Sequence, residues 1–226
     1  MTRSVEIVPA IMPRDLLQFQ DLTVKLSAFA KSVHVDIMDG VFVPQISWPY
    51  DAPGHNGGVY RVFHSLKMEA HLMVADPRSI AHDLIRRDFS RIIAHYESFK
   101  NDEDIREALT VWQGSGVETG LSITANTPIE YLRQFEPLCD LFHVMTVDPI
   151  GHQGGKLNEA LIYRVRELAQ LYPGKTISVD GGMNKDTIVR AVNYGASRII
   201  TGSAVIQADD MRASYQQLQA LVNSGV

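Results

Sequence analysis

A single cysteine, Cys139, excludes any disulfide within the chain, and that scarcity suits a reducing compartment. No apolar run approaches the ~18 residues of a membrane-crossing helix. The opening Met1-Thr2-Arg3-Ser4-Val5-Glu6 lacks the long apolar core of a secretory signal, so a cytoplasmic protein is expected. Basic runs are absent too, and a net charge of −5 argues against a nucleic-acid surface. No Gly-x-Gly-x-x-Gly follows the first apolar run, which weakens the case for a doubly wound dinucleotide-binding sheet. No linker, charge block or low-complexity stretch divides the 226 residues, which are expected to form one domain over residues 1–226. A hydrophobic content of 45% and a charged content of 21% place that domain among ordinary globular proteins.

Short β-branched, apolar runs recur along the chain: Val5–Ile11, Ser32–Met38, Met68–Val74, Arg91–His95, Glu118–Ile123, Leu141–Val147, Lys175–Val179 and Ser197–Thr201. Helical patterns lie between most of them, over Pro13–Lys31, Pro77–Arg87, Asp102–Ser115, Pro128–Phe135, Leu157–Leu171, Lys185–Tyr194 and Ala208–Val222. Pro77 and Pro128 stand where helices begin, and Asn101 or Asp102 offers a cap. Strands alternating with helices imply parallel pairing with crossovers, and eight such units predict a (β/α)8 TIM barrel. Two irregular segments follow strands, where barrel active sites are built. Pro44–Gly58 is too rich in Pro and Gly for a helix, and Pro149–Lys156 is a candidate lid.

Alternation along a strand puts His34, Asp36 and Met38 on one face and Glu69, His71 and Met73 on another. With Val33, Val35 and Ile37 facing the helices, the first set points into the barrel, as does His71 beside helix-facing Ala70 and Leu72. Asp180 closes the seventh strand at the same mouth. A lone inward histidine is more often a hydrogen-bonded core residue than a ligand. Two histidines with two aspartates near one opening are harder to satisfy that way, because charges are rarely buried unpaired. His34, Asp36, His71 and Asp180 are therefore the expected ligands of one divalent ion. Zn2+, Fe2+, Mn2+ and Co2+ suit this donor set about equally.

Glycines mark the other half of the expected site. Gly181-Gly182 follow the seventh strand and Gly202-Ser203 the eighth, where barrels commonly hold a phosphate on backbone N–H groups. Gly154-Gly155 offer a third arm from the lid, although turns need glycines as well. Metal, phosphate and paired carboxylates suggest proton abstraction beside a carbonyl, with the cation stabilising an enediolate. Asp36 and Asp180, on strands far apart around the barrel, would remove a proton from one face and return it on the other, inverting the carbon. Met38, Met73 and Met145 would flank the intermediate or simply fill the core.

These residues resemble the ribulose-phosphate 3-epimerase family over most of the chain. His34-Val35-Asp36-Ile37-Met38-Asp39-Gly40 with Phe42-Val43-Pro44 is similar to that family's second-strand signature, and His71-Leu72-Met73-Val74 to its third. Val144-Met145-Thr146-Val147-Asp148-Pro149, Val179-Asp180-Gly181-Gly182 and Gly202-Ser203-Ala204 resemble the sixth, seventh and eighth. The resemblance implies metal at His34, Asp36, His71 and Asp180, acid and base at the two aspartates, phosphate at the glycine turns, and a homo-oligomer, dimer or hexamer. Three departures stand out. Pro9 is followed by Ala10 where the family usually has serine, the lid is longer and carries His152 and Lys156, and the second-strand loop runs through Trp48, Tyr50 and His55. Chemistry is expected to be kept and specificity changed.

Two rival readings exist, and the first is disfavoured. A sugar-phosphate synthase or decarboxylase on a related barrel would carry an Asp-x-Lys-x-x-Asp strand, which has no counterpart near Asp36 or Asp180. A relative that binds a sugar phosphate without turnover is the other. His95 and His143 are left unassigned, and Cys139 is expected to be buried and inert.

Overall fold

The computed structural model describes residues 5–60 and 65–224, so the opening Met1–Ser4 lies outside the described residues. Eight parallel strands close into a barrel: β1 (Glu6–Ile11), β2 (Ser32–Met38), β3 (Lys67–Met73), β4 (Phe89–His95), β5 (Glu118–Ile123), β6 (Leu141–Met145), β7 (Thr176–Asp180) and β8 (Arg198–Thr201). Each strand pairs with its sequence neighbours and β8 returns to β1, where Ile7 faces Ile199. The helices are α1 (Leu16–Ser27), α2 (Pro77–Ile85), α3 (Asp102–Gly114), α4 (Glu159–Leu171), α5 (Ile188–Asn193), α6 (Ser203–Ile206) and α7 (Met211–Ser224). This is the expected (β/α)8 barrel.

Strands buried on both faces need apolar side chains toward the helices and something compatible inside. Val33, Val35 and Ile37 of β2 and Ile177 and Val179 of β7 are fully buried in the main core between barrel and helices. Inside, a small apolar plug of Val8, Ala10 and Ile200 fills one sector, and Met38, Val43 and Met73 form another. Local chemistry fixes where the helices start. Asp15 Oδ1 accepts from Gln18 N (2.8 Å) at α1, and Asn101 Oδ1 accepts from Asp104 N (3.0 Å) at α3. Pro77 opens α2 behind the capping Asp76, as its missing N–H favours.

Three segments differ from expectation. Pro128–Phe135 is not an α-helix: Ile129–Leu138 winds as 3-10 turns around Pro137, which cannot donate to an α-helical ladder. The loop after β2 contains a small hairpin, Tyr50–Ala52 with His55–Asn56, turned by Gly54 at φ +69°. Strand ends shift by a residue or two, so that β4 begins at Phe89 and β6 ends at Met145.

The floor of the barrel is ionic. Arg198 Nη2 and Arg91 Nη1 both donate to Glu69 Oε2, the former at 2.7 Å. Arg198 Nη1 also reaches Glu6 (2.8 Å), and Arg91 reaches Glu118. β1, β3, β4, β5 and β8 each contribute one of these charges.

Candidate active site

Above that floor, four histidines and two aspartates face one another. His34, His71, His95 and His143 are fully buried, and Asp36 is 3% exposed. Pairing of β2 with β3 sets Asp36 opposite His71, so their side chains meet across one rung. His34 Nδ1–H donates to Glu69 Oε1 (2.7 Å), which turns its Nε2 toward Asp36 Oδ1 (3.3 Å) and Asp180 Oδ2 (3.9 Å). His71 Nδ1 stands 3.0 Å from Asp36 Oδ1, and its Nε2 stands 2.9 Å from His95 Nε2. His143 Nδ1 meets Ser178 Oγ (3.1 Å), and its Nε2 lies 3.8 Å from Asp180 Oδ2. One donor atom from each of His34, His71, His143 and Asp180 lies within 4.8 Å of the others.

The structure thus brings His34, Asp36, His71 and Asp180 to one place and adds His143. His34 Nε2 and His143 Nε2 have no hydrogen-bond partner. A buried polar atom left so costs about 1–3 kcal/mol. Bare imidazole nitrogens beside carboxylates are the donor chemistry of a divalent transition ion, so the residues present fit one.

Electrostatics separates the two aspartates. Burial alone would raise the Asp36 pKa, but the adjacent His34 and His71 imidazoles pull it down to about 2. Burial and the nearby Asp36 charge push Asp180 up to about 7. Burial opposes a charge on His34, yet Asp36 and Glu69 raise its pKa to about 10, holding a proton that a cation binding at Nε2 would displace, whereas burial lowers His71 to about 4. Burial and its histidine neighbours also depress His143. Titratable groups with pKa values driven apart are the usual signature of acid and base roles.

A cavity of about 440 Å³ opens over this cluster, lined by Asp36, Asp180, Met73 and Met145 below and by the glycine turns around the rim. Gly154, Gly155, Gly181, Gly182, Gly202 and Ser203 all line it. Gly182 (φ +68°) packs so closely that a Cβ would sit 2.4 Å from Leu157 N. Thr146 Oγ1 donates to Asp180 O (2.9 Å) and Gly181 O (2.6 Å), tying the β7 turn to β6. Met38 lies behind Met73, packed with Val43 rather than on the cavity wall.

The lid faces the cavity through Gly151–Lys156, and Gln153 Nε2 donates to Ala10 O (3.3 Å). The Ala10 departure and the altered lid therefore meet at one contact. The residues Trp48, Tyr50 and His55 do not line the cavity. Trp48 is buried against Phe19 of α1 with ring centroids 4.1 Å apart, and His55 turns outward to pair with Asp51. An aromatic ring in that loop is worth more under the helix than over the mouth. Sequence reasoning left Glu69 and Asn184 without a role. Glu69 had a visible signal, sharing a strand face with His71; Asn184, which lines the cavity, had none.

Comparison with known proteins decides between the barrel chemistries. The family model described as the ribulose-phosphate 3 epimerase family matches residues 6–206. The chain belongs to that family. It is accordingly an epimerase, an enzyme of the isomerase class. It is 32% identical over 212 residues to "Ribulose-phosphate 3-epimerase" of Treponema pallidum, covering 90% of this chain and 92% of that one. It is also 32% identical over 215 residues to the protein of the same name from Chlamydia pneumoniae, covering 92% and 90%. Among solved structures, 3-keto-L-gulonate-6-phosphate decarboxylase of Vibrio cholerae superposes with a TM-score of 0.71 at 11% identity, covering 100% of both chains. 3-Hexulose-6-phosphate synthase of Salmonella typhimurium gives 0.69 at 14%, covering 98% and 100%. At such identities these likenesses show the barrel alone. Among the described residues no helix is long and apolar enough to cross a membrane.

Proposed function

We propose that the chain inverts C3 of a ketose phosphate, either the ribulose 5-phosphate/xylulose 5-phosphate pair or a related pentulose or hexulose phosphate. The observation that carries this reading is the placement of Asp36 and Asp180 on β2 and β7, both facing one cavity and shifted in opposite directions. In one direction Asp36, held ionised by its two histidines, takes the C3 proton while Asp180 delivers one to the opposite face; in the reverse direction they exchange roles. A divalent ion held by His34, Asp36, His71 and Asp180 would supply Lewis-acid stabilisation of the enediolate charge. Backbone N–H groups of the Gly181-Gly182 and Gly202-Ser203 turns hold the phosphate, with Gly154 and Gly155 closing over it. Met73 and Met145 keep the space beside C3 free of competing proton donors.

The lid difference bears on which sugar is used. Gln153 and Ala10 shape the end of the cavity where the family usually places a serine hydroxyl, so a sugar other than ribulose 5-phosphate is within the reading. The chain acts in the cytoplasm as one domain, residues 1–226, assembled as a dimer or hexamer, which light scattering on purified protein checks directly.

Proton NMR in D2O tests the reaction. Metal-loaded protein is incubated in turn with ribulose 5-phosphate, xylulose 5-phosphate and allulose 6-phosphate. Loss of the C3 proton signal with the epimer appearing is expected for one of them. Bound metal without exchange in any would favour a sugar-phosphate binder that has lost turnover.

A further inference from the structure

We infer that His143 is a further ligand of the metal centre, making it a three-histidine site. This rests on the metal-dependent reading above and goes beyond the donor set that the family resemblance implies. His143 stands on β6, fully buried, with no exposure to water that could satisfy its ring. Its Nε2 has no hydrogen-bond partner and points at Asp180 Oδ2, 3.8 Å away, too far for a hydrogen bond. His34 Nε2, equally bare, lies 3.9 Å from the same oxygen. Donors that share one ion at ~2.0–2.2 Å stand ~3–4 Å from one another, so these separations are those of co-ligands.

The other side of the ring is already arranged. Nδ1 meets Ser178 Oγ at 3.1 Å; in the Nδ1–H tautomer this contact is the outer hydrogen bond of a ligating histidine and leaves the Nε2 lone pair toward the cluster. The ring stacks on His34, with centroids 5.4 Å apart, and lies tilted against His71 at 4.6 Å. His143 engages only the nitrogen that faces away from the site. His95 shows the contrast. Its Nε2 stands 2.9 Å from His71 Nε2, and its unpartnered Nδ1 faces Glu97 at 3.5 Å, away from Asp180, so it supports the cluster from outside.

A third imidazole changes the choice of ion. It shifts the donor set from hard carboxylate oxygen toward borderline nitrogen, favouring Zn2+ and Co2+ over Mn2+. Apo wild-type protein and His143→Leu are titrated with Zn2+ against a chromophoric chelator. The variant is expected to bind Zn2+ at least tenfold more weakly, and to narrow the preference for Zn2+ over Mn2+. Wild-type protein labelled with 15N-histidine and loaded with 113Cd2+ gives a second measurement that needs no variant. Scalar coupling from cadmium to three imidazole nitrogens is expected, because it passes only through a coordinate bond. Coupling to two rings, or unchanged Zn2+ affinity in a folded His143→Leu, overturns the inference and leaves the epimerase reading standing. Wild-type protein that binds neither ion overturns both.

Discussion

Asp36 and Asp180 share a cavity but not an environment, and that difference makes the two carboxylates separable by experiment. Asp36→Asn and Asp180→Asn are each expected to lower turnover by about 10²–10⁴-fold with the circular dichroism of the barrel unchanged. Substantial residual activity in either variant would sink the two-carboxylate mechanism. A third carboxylate has a structural task. Glu97 accepts from Thr124 N (2.9 Å), Thr124 Oγ1 (3.0 Å) and Thr127 Oγ1, pinning the turn after β5. Burial alone would raise its pKa, but the adjacent His95 imidazole and the hydrogen bonds from Thr127 and Thr124 hold it at about 2. Because the folded value lies below the unfolded one, the stability it contributes is complete above about pH 4.3 and is lost as pH falls through about 2. Urea melts across that window should show wild type losing stability more steeply than Glu97→Gln; parallel curves would remove Glu97 from the account. At this scale the sequence was informative about His34, Asp36, His71 and Asp180, because alternation along a strand follows from backbone geometry alone. It was silent about His143, since whether an inward histidine finds a partner depends on side chains from other strands.

At the scale of elements, the glycine turns carry the phosphate reading, and Gly182 is the one with least room. Its positive φ and the 2.4 Å approach to Leu157 N make any side chain there a backbone displacement. Gly182→Ala is expected to cost about 1–3 kcal/mol of stability and to raise the KM for the sugar phosphate about tenfold. Gly174→Ala, with nothing within 4 Å of the new Cβ, should change neither and serves as the control. Steady-state kinetics and thermal melts on both variants decide this. Strands and capped helices were legible because their signals are local: β-branched runs, Asn101 before acidic residues, Pro77 at a first turn. The 3-10 winding of Ile129–Leu138 and the hairpin after β2 were not, because short irregular segments take their conformation from what they pack against.

For the whole molecule, the ionic floor links strands that are remote in sequence. Glu69 stands between Arg198 and Arg91 on one side and His34 on the other, so one carboxylate joins barrel closure to the cluster above it. Arg198→Met would leave Glu69 short of a partner in the interior, and Glu6 short of one at the half-exposed edge. It is expected to destabilise the fold by about 3–5 kcal/mol, read as a lower urea midpoint. A loss under 1 kcal/mol would show that Arg91 alone suffices.

The sequence by itself determined the repeating strand–helix order, the inward side of each strand and the two aspartates as a pair, all of which follow from period and residue type. Only the tertiary structure decided that His143 joins the cluster, that Trp48 lies beneath α1 rather than over the mouth, and that Gln153 meets Ala10. Those contacts join residues far apart in the chain. They depend on barrel register and on competition for buried space, neither of which any local pattern encodes.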